Sequence, residues 1–254
     1  MIHPTAIIHP KAQIGADCKI GPYCVIGEHV VLGPRCELIS HVAIDGHTTI
    51  GAENQVYPFA SLGHRTQDLK WKGGTTYLDI GDKNIIREYV TIHTATGDGE
   101  RTIIGSNNAI LAGSHLGHNV VLGNRIIISM AGLAGHVIVE DFAVVGGHAA
   151  IHQFCRIGTM AMVGGCSRVA QDIPPYMIVE GNPAETRTIN KVGLERNGVS
   201  EEVQAALRKA FKILFRGGLT IPNALSKIET EVPPLPEVQH LVAFTRSSER
   251  GITR

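Results

Sequence analysis

Histidine is plentiful in this chain, with thirteen in 254 residues, and some stand among polar groups that recur at a fixed interval. His118 precedes His136 by 18 residues, Gly135 precedes Gln153 by the same 18, and His152 stands beside Gln153. An imidazole can act as a general base, a backbone N–H beside glycine as an oxyanion donor, and a side-chain amide as a polar anchor. Acyl transfer to a hydroxyl needs those three parts. They can cooperate only if the interval is a structural repeat that brings them side by side.

That repeat is legible in the first quarter of the chain, where an aliphatic recurs every sixth residue: Ile2, Ile8, Ile14, Ile20, Ile26, Leu32, Leu38, Ile44, Ile50, Val56 and Leu62. Four places after each comes a small or slim residue, such as Ala6, Cys18, Cys24, Cys36 or Val42. Positions two apart share one face of a strand, so the large and the small residue both point inward. Glycine often follows the aliphatic (Gly15, Gly21, Gly27, Gly33, Gly51), which suits a corner with unusual backbone angles. The expected fold is an all-β parallel β-helix of hexapeptide repeats, three hexads to a turn. By phase, His115 and His118 are not inward positions. Both should flank one outward corner, with Leu111 and Met130 nearby. The hexads starting at Leu116, Leu133 and Ile151 fall on one face of successive turns, which makes a column of His118, Gly135-His136 and His152-Gln153.

The array is interrupted twice. Residues 64–76 put Asp68 and Gly74 where aliphatics belong; a prism cannot bury an unpaired carboxylate, so the chain should loop out near 63–77. The loop carries Gln67, Asp68, Lys70 and the sole tryptophan, Trp71. A second polar stretch, 94–102, reads as a plain surface loop. Leu133 follows Ile128 by five residues rather than six, so one side of a coil is a residue short. The β-helix is expected over 1–183, with Pro174-Pro175 closing the array. An α-helical domain is expected over 184–254, where Ser200 can cap a helix led by Glu201 and Glu202 and ended by Gly217. Shorter amphipathic segments fall near Pro222–Val232 and Pro236–Ser247.

Composition narrows the classes. Twenty-three basic and twenty-three acidic residues balance, so no overall basic field points to nucleic acid. The basic residues concentrated after Arg187 can still form a local patch for an acidic partner. Three of the five cysteines occupy inward slots, which reads as buried thiols in a reducing cytosol. The repeat begins at Ile2, leaving no room for a signal peptide, and no apolar run spans a bilayer; a cytoplasmic protein is expected. Two other readings of the histidines stay open. Trimeric carbonic anhydrases on such a coil hold zinc with histidines of neighbouring chains, and His115, His118 and His136 offer the residue type. No carboxylate or thiol supplements them, however, and zinc would leave the 64–76 loop unexplained. The alternative to both is an inert histidine surface on a scaffold.

The ordered set Gln67-Asp68-Leu69-Lys70, His115-x-x-His118, Gly135-His136, His152-Gln153-Phe154 and Gly164-Gly165-Cys166-Ser167 resembles the UDP-N-acetylglucosamine O-acyltransferase family, over essentially the whole chain. That family opens lipid A synthesis. The resemblance implies a left-handed β-helix assembled as a homotrimer, with active sites between subunits and no cofactor or metal. The donor would be an (R)-3-hydroxyacyl chain on acyl carrier protein, and the acceptor the sugar 3-hydroxyl of UDP-N-acetylglucosamine. By position His118 matches the general base, Gly135 the oxyanion donor, and Asn119 the residue beside the base. Gln67, Asp68, Lys70 and His115 match sugar and phosphate contacts. His93, His136, His152 and Gln153 match further cleft contacts, Asn190 and Arg196 nucleotide contacts, and Gly165 part of an acyl-chain ruler that an open slot would set for a long donor. The chain departs from the family pattern at Asn119, where an aspartate is common, and at Val192 and Asn197, where an acid and a second arginine are common. An acceptor with a 3-amino group in place of the hydroxyl fits the same residues.

Overall fold

Most aliphatics of the repeat are the second residue of a strand only two residues long. In Lys19–Ile20, Val25–Ile26 and Val31–Leu32 the first side chain is exposed or half-exposed and the second is buried, as alternation on a strand requires. The strands stack in three parallel sheets of nine, eight and ten strands; only the last pairing of the ten-strand sheet is antiparallel. Register holds from coil to coil. Ile26 lies opposite Ile44, Ile44 opposite Leu62, Leu116 opposite Leu133, and Leu133 opposite Ile151. This computed structural model describes residues 1–254. It is a left-handed parallel β-helix followed by a helical segment.

The aliphatics and small residues merge into one continuous apolar column. Cys18, Cys24, Cys36 and Cys155 are buried in it as free thiols, and Cys166 is exposed. Where the small slot holds asparagine, the buried amide is satisfied by a ladder: Asn54 Oδ1 accepts from the Asn84 N–H at 2.9 Å, Asn84 Oδ1 from the Asn108 N–H at 2.9 Å, and Asn108 Oδ1 from the Ile126 N–H at 2.8 Å.

The corners correct one expectation. The left-handed residue is the third after the aliphatic (Asp17, Tyr23, Arg35, Asn119, His136, Phe154), whereas Gly15, Gly21 and Gly33 do not have positive φ. Those glycines answer to space instead. A Cβ on Gly15 would sit 2.6 Å from the Gly33 carbonyl carbon, and one on Gly21 would overlap the Ile39 carbonyl in the next coil. The short side before Leu133 costs no register. The missing residue comes out of the corner, where Met130, second after Ile128, takes the left-handed turn at φ +45°.

After the prism, an antiparallel hairpin (Met177–Glu180, Glu185–Ile189) leads into α1 (Lys191–Arg196), α2 (Glu201–Phe211), α3 (Ile221–Glu231) and α4 (Pro236–Arg246). Ser200 caps α2, which widens into a π-helical turn over Lys212–Arg216 before Gly217. These elements enclose a second apolar core. Polar contacts fix it to the prism. Glu140 accepts from His240 Nε2 at 3.0 Å, and Asp172 accepts from the Arg156 N–H and the Ser248 hydroxyl at 2.8 Å each. No helix is long and apolar enough to cross a membrane.

Candidate functional site

His118 follows the strand His115–Leu116, at the corner between the nine-strand and eight-strand sheets. Asn119 takes the left-handed turn there at φ +59°, a conformation asparagine tolerates better than most residues, and its N–H donates to Thr102 Oγ1 at 2.9 Å. The Asn119 amide is held at both ends. Its Nδ2 donates to Glu100 Oε2 at 2.7 Å, and its Oδ1 accepts from the Thr96 N–H at 3.0 Å. The 2.9 Å contact between Oδ1 and His118 Nδ1 must therefore carry its proton on Nδ1. That tautomer leaves Nε2 as a bare lone pair.

One coil on, Gly135 is buried directly against this ring. A Cβ there would overlap His118 Nε2 and Cε1, so glycine alone fits. The Gly135 N–H donates to no other group of the chain. A base lone pair and an uncommitted backbone donor thus share one spot.

The chain from Arg65 to Thr76 folds back over the nine-strand sheet to form the far wall. Asp68 Oδ1 accepts from the Lys70 N–H at 2.9 Å, and Asp68 Oδ2 lies 3.7 Å from His118 Nε2. Thr66 and Thr96 hydroxyls meet at 2.8 Å, and Thr76 and Thr94 hydroxyls at 2.9 Å, so the second polar segment pins the first. The two walls enclose a cleft of about 510 Å³ lined by Gln67, Asp68, Lys70, His93, His115 and Gln153 beside His118 and Gly135. His93 Nδ1 donates to the Arg65 carbonyl at 3.0 Å, leaving its buried Nε2 without a partner. Burial, reinforced by neighbouring imidazoles, holds His93, His115 and His136 below the usual histidine value, so all three are neutral acceptors or donors at neutral pH.

The structure brings most of the anticipated residues together and separates others. His136 meets His118 edge-on, with ring centres 5.1 Å apart, and stacks on Phe154 at 4.6 Å. It lines a second cavity of about 1010 Å³ behind the Asn119 side. His152 is exposed, with Nδ1 donating to the Gln153 carbonyl at 3.0 Å. Asn190 is buried at 4% exposure as the cap of α1, its amide spent on the Met160 carbonyl and the Gly193 N–H, while Arg196 is exposed on that helix; neither lines the cleft. Gly165 lies after Met162–Val163, at the corner between the ten-strand and nine-strand sheets, not at the His118 corner. Leu111 and Met130 occupy that same far corner rather than the one with His118. No set of three His, Cys, Asp or Glu side chains is placed to hold a metal, and His115 gives Nδ1 to Thr91 Oγ1 at 2.8 Å.

Glu100, Thr96 and Thr102 were not legible as site residues. The 94–102 stretch is no plain loop, because it buttresses both the cleft wall and the Asn119 amide behind His118. One step of the repeat back from Asn119 lands on Arg101, beside Glu100, and that arithmetic was available from sequence.

Short-strand coils that set an imidazole lone pair beside a free backbone donor at one corner fit an acyltransferase of the hexapeptide-repeat class. The family model for bacterial transferase hexapeptide repeats matches residues 1–34, and the model described as UDP-N-acetylglucosamine O-acyltransferase, domain 2, matches residues 172–253. Similar solved structures include a UDP-N-acetylglucosamine acyltransferase from Bacteroides fragilis, 40% identical over the whole of both chains with a TM-score of 0.97. LpxA from Acinetobacter baumannii is 43% identical over all of this chain and 99% of its own, with a TM-score of 0.96. The Arabidopsis UDP-N-acetylglucosamine acyltransferase is 35% identical over the whole of both chains, with a TM-score of 0.88. The chain belongs to the UDP-N-acetylglucosamine O-acyltransferase family.

Proposed function

We propose that this protein transfers an (R)-3-hydroxyacyl chain from acyl carrier protein to the 3-hydroxyl of UDP-N-acetylglucosamine, the opening step of lipid A synthesis. The observation that carries the reading is the bare Nε2 of His118 seated against Gly135, whose N–H is uncommitted. Nε2 takes the proton of the sugar hydroxyl as its oxygen attacks the thioester carbonyl. The Gly135 N–H receives the oxyanion of the tetrahedral intermediate. Collapse expels the carrier thiolate, which takes the proton back from the imidazolium. An ester has formed, a thioester has broken, and the base is regenerated. Asp68 and Gln67 orient the sugar, His93, His115 and His136 complete the polar lining, and Lys70 meets the diphosphate.

His152, Arg196 and Gly165 serve the same site when a neighbouring copy supplies them across a homotrimer interface, and Asn190, its amide spent on the cap, contributes by holding the start of the helix that carries Arg196. Tyr23, Phe59 and Tyr89, exposed at 58%, 48% and 62%, join Met130 in an apolar stripe on the far corner that supports such an assembly. A stable monomer of 27.2 kDa in sedimentation would overturn it. The basic residues of the helical segment suit the acidic carrier protein, and the five unbonded thiols suit a cytoplasmic setting.

The test is the purified protein with hydroxyacyl carrier proteins of several lengths, UDP-N-acetylglucosamine and its 3-amino analogue. An ester on UDP-N-acetylglucosamine is expected. Transfer to the amine alone, or to neither acceptor, would contradict the reading.

A further inference from the structure

Asn119 stands where a carboxylate is common in the family, and an amide alone stabilises an adjoining imidazolium less than a carboxylate does. The negative charge is nevertheless present in this chain, one residue removed. Glu100 Oε2 accepts from Asn119 Nδ2 at 2.7 Å and from the Gly97 N–H at 2.9 Å. The far end of the same amide accepts from His118 Nδ1 at 2.9 Å. The Asn119 hydrogen bond, followed by that of Gly97, holds the Glu100 carboxyl below its usual range, so it is anionic at neutral pH.

We propose that Glu100 is a positioning residue for the base, acting on His118 through the Asn119 amide: a displaced carboxylate that takes over what a directly adjacent acid would do. An ionised carboxylate only accepts, so it holds the NH2 end of Asn119 and fixes Oδ1 towards His118. Its charge also polarises the amide along the chain of hydrogen bonds, which strengthens the Nδ1–H contact as Nε2 becomes protonated. No proton leaves Nδ1 at any stage; the proton from the sugar hydroxyl goes to Nε2 and on to the thiolate. The remainder of the second polar segment fits this role. Thr96 supplies the other clamp on Oδ1, and Thr102 the acceptor for the Asn119 N–H. Glu100 is exposed and lines the second cavity with Asn119 and His136, not the cleft into which His118 Nε2 points, so it reaches the reacting atoms only through Asn119.

This inference rests on His118 being the base. It is tested with Glu100→Gln, which keeps an acceptor of the same shape and removes the charge, alone and combined with Asn119→Asp. For Glu100→Gln we expect kcat to fall roughly tenfold, the scale of losing an outer partner of a functional imidazole. KM for both substrates should stay within twofold and the melting temperature should be unchanged. Asn119→Asp alone sets two carboxylates face to face and should be worse than the double variant, in which a single acid beside His118 restores kcat to within threefold of wild type. Wild-type kcat in Glu100→Gln, or a change confined to KM, would overturn the proposal, as would an Asn119→Asp effect indifferent to residue 100. A readout independent of turnover is the His118 Nδ1 proton in selectively 15N-histidine-labelled protein. It should move upfield in Glu100→Gln, and an unmoved signal also refutes the coupling. Failure of the wild-type protein to acylate UDP-N-acetylglucosamine would instead defeat the functional reading and leave the resonance shift to judge Glu100.

Discussion

The coils from Ile2 to Leu62 and the coils from Leu62 to Phe154 are built on the same stacked sheets, yet only the second group lines the cleft. In the first group the corners close within a few residues, and at Gly15, Gly21 and Gly33 the backbone of the next coil leaves no room for a Cβ. In the second group the corners open into segments 65–76 and 94–100, which deliver Asp68, Lys70, Glu100 and the clamps on Asn119. The contrast separates two jobs. Regular coils fix where a corner lies; interruptions decide what stands there.

The largest effect is expected at His118. His118→Ala should lower turnover by roughly a hundredfold or more, a general-base contribution, with assembly and melting temperature intact. Activity within threefold of wild type would move the role to another imidazole. Next in size is the acyl chain. Gly165→Met fills a slot in which even a Cβ would lie 3.2 Å from the Gly147 carbonyl oxygen. Wild type should prefer a donor of about fourteen carbons over one of about ten. At up to ~0.8 kcal/mol for each buried methylene the preference can approach a hundredfold; the variant should reverse it without affecting UDP-sugar binding. Equal chain-length profiles would remove Gly165 from that role.

Substitution in the regular coils should do the opposite. Gly21→Ala forces its Cβ into the Ile39 carbonyl and should cost about 1–3 kcal/mol of stability in a denaturant titration, while kcat per folded protein stays at the wild-type level. A lost kcat with full stability would contradict the division of labour. The smallest effect is one of pH. His93, His115 and His136 are held below their ordinary value of 6.5 in the folded chain. Below that value the unfolded chain binds more protons than the folded one, so stability is complete above it and falls as the pH drops through it. The melting temperature should decline between about pH 7 and pH 5.5, and His115→Asn should flatten the decline. A decline starting well above pH 7 would assign it to other groups.

The prism was legible because its signal is period six in residues that must be buried, and burial tolerates few exceptions. The column of His118, Gly135 and Gln153 was legible for the same reason, since phase converts a sequence interval into a stacking position. What escaped depended on direction within a corner. Height along the prism alone misplaces Gly165: the stepping by full turns that runs Leu116, Leu133, Ile151 goes on to Val169, so the Val163 hexad lies at the other edge from His118, as the order of the sheets shows. Asn190 reads as a free amide in the sequence and is in fact consumed as a helix cap. Glu100 lies where the period is interrupted; one turn back from Asn119 the count reaches only its neighbour Arg101, and it takes the left-handed turn at Asn119, which aims the amide backwards along the coil, to pair the amide with the carboxylate.

The proposed catalysis requires a bare imidazole nitrogen presented to the cleft, and that is directly observable. Protein labelled with 15N-histidine, examined by NMR at about pH 8 without substrate, should show the His118 ring with its proton bonded to Nδ1 and none on Nε2. A proton found on Nε2, with Nδ1 bare, would contradict the geometry from which the base was assigned.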